Sequence, residues 1–188
     1  MLTTFEAIVA MDENNGIAKQ GKIPWKSKTD MKFFKDKTIN NIVVMGFNTL
    51  LSLQNGAPLR NRLNIVVTRK IRQDSIKDLC EKYQNLMFMN EQQLLQFVKN
   101  PDLYLTKDDK QLFNLNPDYK IYLIGGEQIY KSFCQFCSAI WITIIKSKYN
   151  CDLIFSYDVS NYDKSIEYED EELVIFKVTP PNLNQSSF

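Results

Sequence analysis

Asp30 is the carboxylate whose surroundings suit proton chemistry. It sits in the first turn of an amphipathic stretch at 27–38 (SKTDMKFFKDKT), where a carboxylate interacts favourably with the helix dipole. Phe34 lies four positions on and shares its face, Met31 adjoins it, and Trp25 is just upstream. A carboxylate in such an apolar setting is desolvated and has a raised pKa. That suits proton delivery or the grip of a cationic heterocycle. The same position also suits an ordinary helix-terminal acid, the commoner role. The chain has no histidine, which excludes His-based triads, His-ligated metals and imidazole acid–base chemistry.

Two further places have the residue types for ligand chemistry. The apolar runs IVVM and IYLI each end in glycine and turn into a helical stretch, at Gly46-Phe47-Asn48-Thr49 and at Gly125-Gly126-Glu127-Gln128-Ile129. Helix N-termini offer free N–H groups to phosphates, and glycine lets the backbone come close to a ligand. Two such turns suit a ligand with a pyrophosphate bridge, and tight strand–helix packing accounts for the same residues equally well. Cys134 and Cys137 form a CxxC that we place on one helix face. With Phe133 and Phe136 interleaved and no second ligand pair, it reads as buried packing rather than redox or zinc chemistry. No metal site is expected.

The elements that must position these residues follow from periodicity. Near-continuous apolar runs at 7–11, 42–45, 65–68 and 121–124 read as strands covered on both faces. Helical stretches at 27–38, 91–99 and 127–134 alternate with them, Ser27 supplying an N-cap. The alternation implies an α/β three-layer sandwich with a mostly parallel central sheet. Strands at 139–145, 164–169 and 173–178 close it with an antiparallel C-terminal edge hairpin, whose tip is the solvated acidic cluster 170–172. The stretch 100–120, with two Asn-Pro dipeptides, reads as a surface loop insertion with one short helix. One domain over 1–180 and a loose tail at 181–188 are expected.

Composition bounds the class. Lys and Arg number 23 against 22 Asp and Glu, a net charge of +1, which gives no bulk positive charge for nucleic acid. Four cysteines are too few for a disulfide scaffold, and no apolar run approaches a membrane span. The N-terminus lacks a basic signal-peptide region, so a cytoplasmic protein is expected.

Taken together, these motifs resemble the dihydrofolate reductase family. AIVAMDENNGIAKQGKIPW is similar to the family's first strand, mobile active-site loop and Pro-Trp. DMKFF is similar to its acid-bearing helix, IVVMGFNT to its cofactor-phosphate turn, and PLRNR to the loop with the folate-tail arginine. NIVVTR is similar to its adenosine-side strand, IYLIGGEQIY to its Gly-Gly segment, and WIT to its late-strand threonine. The resemblance covers residues 5 to about 155.

It implies hydride transfer from NADPH to 7,8-dihydrofolate, feeding one-carbon metabolism and thymidylate synthesis. Asp30 would bond the pterin amidine edge and help protonate its ring nitrogen, Thr143 would hydrogen-bond that carboxylate, and Trp25 would hold a water near it. Ile8, Met31, Phe34, Leu53, Leu59, Ile124 and Tyr130 would surround the substrate rings, and Arg62 would grip the glutamate carboxylate. Ala10 and the lid residues Ile17, Ala18, Lys19, Gln20, Gly21, Lys22 and Ile23 would line the nicotinamide. Gly46, Asn48, Thr49 and Leu50 would serve one phosphate turn. Gly125, Gly126, Glu127, Gln128, Ile129 and Tyr130 would serve the other, through a cis peptide. Thr68 and Arg69 would face the adenosine 2′-phosphate.

Three departures stand out. Phe47 and Asn48 replace the usual basic residues, which narrows the expected preference for NADPH over NADH. Asn61 stands where glycine is usual, and asparagine tolerates positive φ. Leu153 replaces a usual threonine in the loop that supports the lid. A pyrimidine reductase of riboflavin synthesis and a non-catalytic binding protein are the competing readings. A monomer is expected, as is a possible place in a fusion with thymidylate synthase.

Overall fold

The computed structural model describes residues 4–69 and 74–181; residues 182–188 of the expected tail lie outside them. The chain forms strands β1 (Phe5–Asp12), β2 (Gly16–Ala18), β3 (Ile42–Gly46), β4 (Leu63–Val67), β5 (Leu86–Met89), β6 (Ile121–Leu123), β7 (Cys137–Ile145), β8 (Leu153–Ile154), β9 (Asp163–Glu169) and β10 (Leu173–Thr179). Its helices are α1 (Lys28–Thr38), α2 (Phe47–Ser52), α3 (Asp74–Lys82), α4 (Glu91–Lys99), α5 (Lys107–Leu112) and α6 (Glu127–Phe133).

Eight strands make the main sheet in the order β5-β4-β3-β6-β1-β7-β10-β9. The six from β5 to β7 are mutually parallel, and β10 runs antiparallel to both β7 and β9. The strand alternation explains why both faces are apolar. Ala7, Val9 and Met11 of β1, with Ile42 and Val44 of β3, pack with Phe97 of α4 and Phe133 of α6. Ile8, Val43 and Met45 point the other way, toward Phe33 and Phe34 of α1 and Leu50 of α2. The expected three layers are present.

α1 begins where the sequence places it: the Ser27 hydroxyl accepts from the Asp30 N–H at 3.1 Å. Two expectations need correction. The 100–120 stretch does carry the short helix α5, but it is not merely superficial, since Pro101, Leu105 and Phe113 are buried and the last two join the core. Cys134 and Cys137 do not share a helix face. Cys134 opens a 3-10 turn and Cys137 starts β7, although both are buried as expected.

The chain order around the sheet decides where a ligand fits. From β1 the chain crosses past the position of β6 to β3, runs outward to β5, and later returns with β6 between β3 and β1. The crevice outside the carboxyl ends of strands at such a switch point is the general ligand position in open α/β sheets.

Candidate active site

A cleft of about 990 Å³ opens at that position. The strands bring Ile8 and Ala10, Gly46, Val67 and Thr68, and Ile124 with Gly125 to its floor, and α1, α2, α6 and the segment after β2 form its walls. Its lining is mainly apolar with a few polar groups, the usual make-up of a small-molecule site.

Asp30 lines the cleft from the first turn of α1, half-buried. Burial pushes its pKa up, and interactions with the Thr143 hydroxyl and Trp25 indole offset this only in part. Thr143 and Trp25 are both buried. Trp25 Nε1 is the only buried side-chain polar atom among the described residues without a protein hydrogen-bond partner.

Arg62 also lines the cleft, and is only 7% exposed. Its Nε donates to Thr38 Oγ1 at 2.9 Å and its Nη1 to the Arg60 carbonyl at 2.7 Å. Thr38 in turn donates to the Phe34 carbonyl at 2.7 Å, so the end of α1 holds the guanidinium. These bonds leave the Nη2 edge of the fork for a ligand carboxylate. Burial lowers the Arg62 pKa from its ordinary value, and the group still carries its charge near neutrality. Asn61 adopts φ 53°, so asparagine does make the turn that presents Arg62.

The two glycine turns meet. Gly46 N donates to the Gly125 carbonyl at 2.8 Å, and the Gly125–Gly126 peptide is cis. Gly125 has φ +114°, a region that favours glycine, and a Cβ there would lie 3.2 Å from the Tyr130 hydroxyl. Neither α2 nor α6 has a side-chain N-cap bond. Their first-turn N–H groups therefore lack the partner that a capping side chain supplies.

The family comparison agrees with this geometry. Residues 4–174 match the family model described as dihydrofolate reductase. The chain belongs to the dihydrofolate reductase family. The dihydrofolate reductase of Ureaplasma parvum is 27% identical, over 83% of this chain and 85% of that one. A bifunctional dihydrofolate reductase-thymidylate synthase of Paramecium tetraurelia is 31% identical, over 83% of this chain but 29% of its own length. Among solved structures, the Enterococcus faecalis dihydrofolate reductase complexed with NADP(H) and RAB-propyl superposes with a TM-score of 0.69. It is 26% identical, over 95% of this chain and 96% of that one.

Most residues expected from a dihydrofolate reductase resemblance line one cleft, but five do not. Leu50 is fully buried in the core, because α2 turns it inward against the sheet. Lys19 extends away and donates to the Tyr149 carbonyl. Gln20 lies in an adjoining pocket beside Asn55, where its N–H donates to Asp152 at 2.7 Å. Trp25 and Thr143 are buried and line no part of the cleft. Two other expected residues lie in the lining with their polar groups engaged. Glu127 accepts hydrogen bonds from the Ser156 N–H and hydroxyl. Tyr130 donates to the Ile8 carbonyl at 2.8 Å, so it fixes the strand backbone at the cleft. Met31 is 68% exposed at the rim. Lys35 and Glu91 are lining residues that the sequence reading missed. Lys35 lies one turn beyond Met31 on the same helix face, the available signal.

The loop between β1 and β2 is tied down by a buried acid that the sequence did not single out. Asp12 Oδ1 accepts from the Asn14 and Gly16 N–H groups, and Oδ2 from the Tyr149 N–H and the Cys151 thiol. Burial works to raise the Asp12 pKa, but these donors together hold it below the ordinary carboxylate range. β2 pairs with β8 across the same junction, Ala18 opposite Leu153. Gly16 has to be glycine, since a Cβ would fall 2.4 Å from Cys151 Cβ.

Asp12→Asn turns one acceptor into a donor facing donors. We expect a stability loss of about 1–3 kcal/mol and faster hydrogen exchange at the amides of 14–20. Exchange rates that match wild type would show that the loop is held elsewhere. Because the Asp12 pKa is depressed by folding, its contribution is present above the ordinary value of 3.8 and lost as pH falls through the folded one.

Proposed function

We propose that the chain reduces 7,8-dihydrofolate to 5,6,7,8-tetrahydrofolate with NADPH, with Asp30 and Arg62 holding the two ends of the folate. The observation that supports this most directly is the placement of these groups in one apolar cleft. Asp30 is a desolvated carboxylate and Arg62 a buried guanidinium, with Phe34, Leu53 and Leu59 lining the same cleft.

The residues suit the cofactor. The cleft is continuous from Thr68 and Arg69, past Gly46 and Gly125-Gly126, to Ala10 under the lid. Uncapped helix starts and closely approaching glycines are the donor set that a pyrophosphate needs. When bound, NADPH supplies the hydride. The protein aligns the two partners and excludes water. Gly46, Thr49, Gly125 and Gly126 would hold the pyrophosphate, Thr68 and Arg69 the adenosine end, and Ala10, Ile17 and Ile23 the nicotinamide.

Asp30 accepts the two parallel N–H donors of the pterin amidine edge, a bidentate arrangement that fixes the ring. Burial raises its pKa, which makes the carboxyl a better participant in proton delivery to the ring nitrogen that must receive one. The orphaned Trp25 N–H beside it suits a bound water that relays the proton. The planar fork of Arg62 suits a carboxylate and a phosphate alike, so it is the apolar wall of Phe34, Leu53 and Leu59 that favours the benzoyl ring of a folate over the polar chain of a ribityl phosphate.

The test is NADPH oxidation by the purified chain, followed by absorbance, with and without dihydrofolate. We expect oxidation that depends on dihydrofolate and is blocked by an antifolate. Oxidation only with an aminopyrimidine ribityl substrate would overturn the reading, as would no turnover on either.

A further inference from the structure

The adenosine end of the cleft holds a carboxylate that has no part in the scheme above. Glu91, the first residue of α4, lines the cleft together with Thr68 and Arg69. Its Oε1 lies 3.9 Å from Arg69 Nη2. The position is built, not incidental. The Thr68 N–H donates to the Met89 carbonyl at 3.0 Å, joining the end of β4 to the end of β5. A reciprocal Asn90–Gln93 capping box then fixes the start of α4. Nearby, Phe47 packs against Phe88 with the rings tilted by 53° and their centroids 6.2 Å apart, and Asn48 follows it in the lining, so neither residue brings positive charge. Of the other cations among the described lining residues, Lys35 and Arg62 flank the folate end and Lys22 belongs to the lid.

We infer that Glu91 is a specificity-determining residue that lowers the enzyme's preference for a 2′-phosphorylated dinucleotide and lets the unphosphorylated one bind. This rests on the function proposed above. A 2′-phosphate beside Thr68 and Arg69 meets the Glu91 carboxylate as a like charge and must compete with it for the guanidinium. A free 2′-hydroxyl meets neither penalty and can donate to the carboxylate, as ribose hydroxyls do to acidic residues at the ends of strands in other dinucleotide sites. Arg69 is 93% exposed and Glu91 51%, so solvent screens the pair and the effect is moderate in size.

Titrating NADPH and NADH into the purified chain and following nicotinamide fluorescence gives both dissociation constants without turnover. Competition by 2′,5′-ADP and 5′-AMP isolates the adenosine end. In Glu91→Gln the NADPH-over-NADH affinity ratio should rise about three- to five-fold at low salt, and Glu91→Arg should raise it further. Arg69→Gln should lower it. The gain should shrink in molar salt, where charges are screened within about 3 Å. An unchanged ratio in both Glu91 variants, with wild type binding both dinucleotides, would overturn the role of Glu91 and leave the reductase assignment intact. Binding of neither dinucleotide by wild type would overturn both readings together.

Discussion

Asp30→Asn lowers turnover at neutral pH by about 100- to 10,000-fold, the usual worth of a positioned acid–base group, and leaves the chain folded. Asparagine keeps the shape of the side chain but cannot hold a proton for the pterin. The proton must then come from solvent, so the variant's residual rate should climb steeply as the medium is acidified. The carboxylate also carries a stability cost. Burial raises its pKa in the folded protein, so the native state holds the proton more tightly than the unfolded chain does. The Asp30 contribution to stability is therefore fully present below the ordinary value of 3.8 and is lost as pH rises through the folded pKa. Removing the charge should raise the melting temperature of Asp30→Asn above wild type at pH 7, with the gap closing in acid. A more stable and nearly inactive variant is what a residue kept for chemistry predicts. Turnover at the wild-type level would remove Asp30 from the mechanism, and a lowered melting temperature at pH 7 would show that the carboxylate is there for packing.

The parts of the fold that the sequence displayed are those where burial is symmetrical. The β1, β3, β4 and β6 runs are apolar on both faces because helices cover both, and they show as near-continuous apolar stretches rich in Val and Ile. β5 escaped notice because its four residues, LMFM, contain no β-branched side chain and only its first and last are buried. α3 did have a signal, in the spacing of Ile76, Leu79 and Tyr83, but much of the helix surface is polar. Asp30 was legible because its neighbours in sequence are its neighbours in space. Asp12 was not, since Tyr149 and Cys151 come from 137 and 139 residues away. The pairing of Glu91 with Arg69 is hidden for the same reason. Only the parallel register of β4 and β5 brings the ends of the two strands together.

Arg62→Leu should raise the KM for dihydrofolate about 100- to 1,000-fold, equivalent to the roughly 3–4 kcal/mol that truncating one member of a buried charge pair costs. The geometry supplies the reason and also a complication. Thr38 and the Arg60 carbonyl pin the guanidinium, so losing it strips partners from the protein as well as from the substrate. A dihydropterin without the glutamyl tail separates the two effects. If Arg62 acts on the tail carboxylate, that truncated substrate should bind the variant and the wild type alike, because Asp30 and the Phe34, Leu53 and Leu59 wall are unchanged. Arg62→Lys should fall between, since an ammonium keeps the charge but not the planar fork. Thr38→Val tests the support, as it removes the acceptor of the Nε bond and leaves the charge in place. It should weaken dihydrofolate binding less than Arg62→Leu and leave the tail-less substrate unaffected. Equal losses on both substrates in Arg62→Leu would mean that Arg62 serves the fold of the 57–62 loop and does not bind the tail.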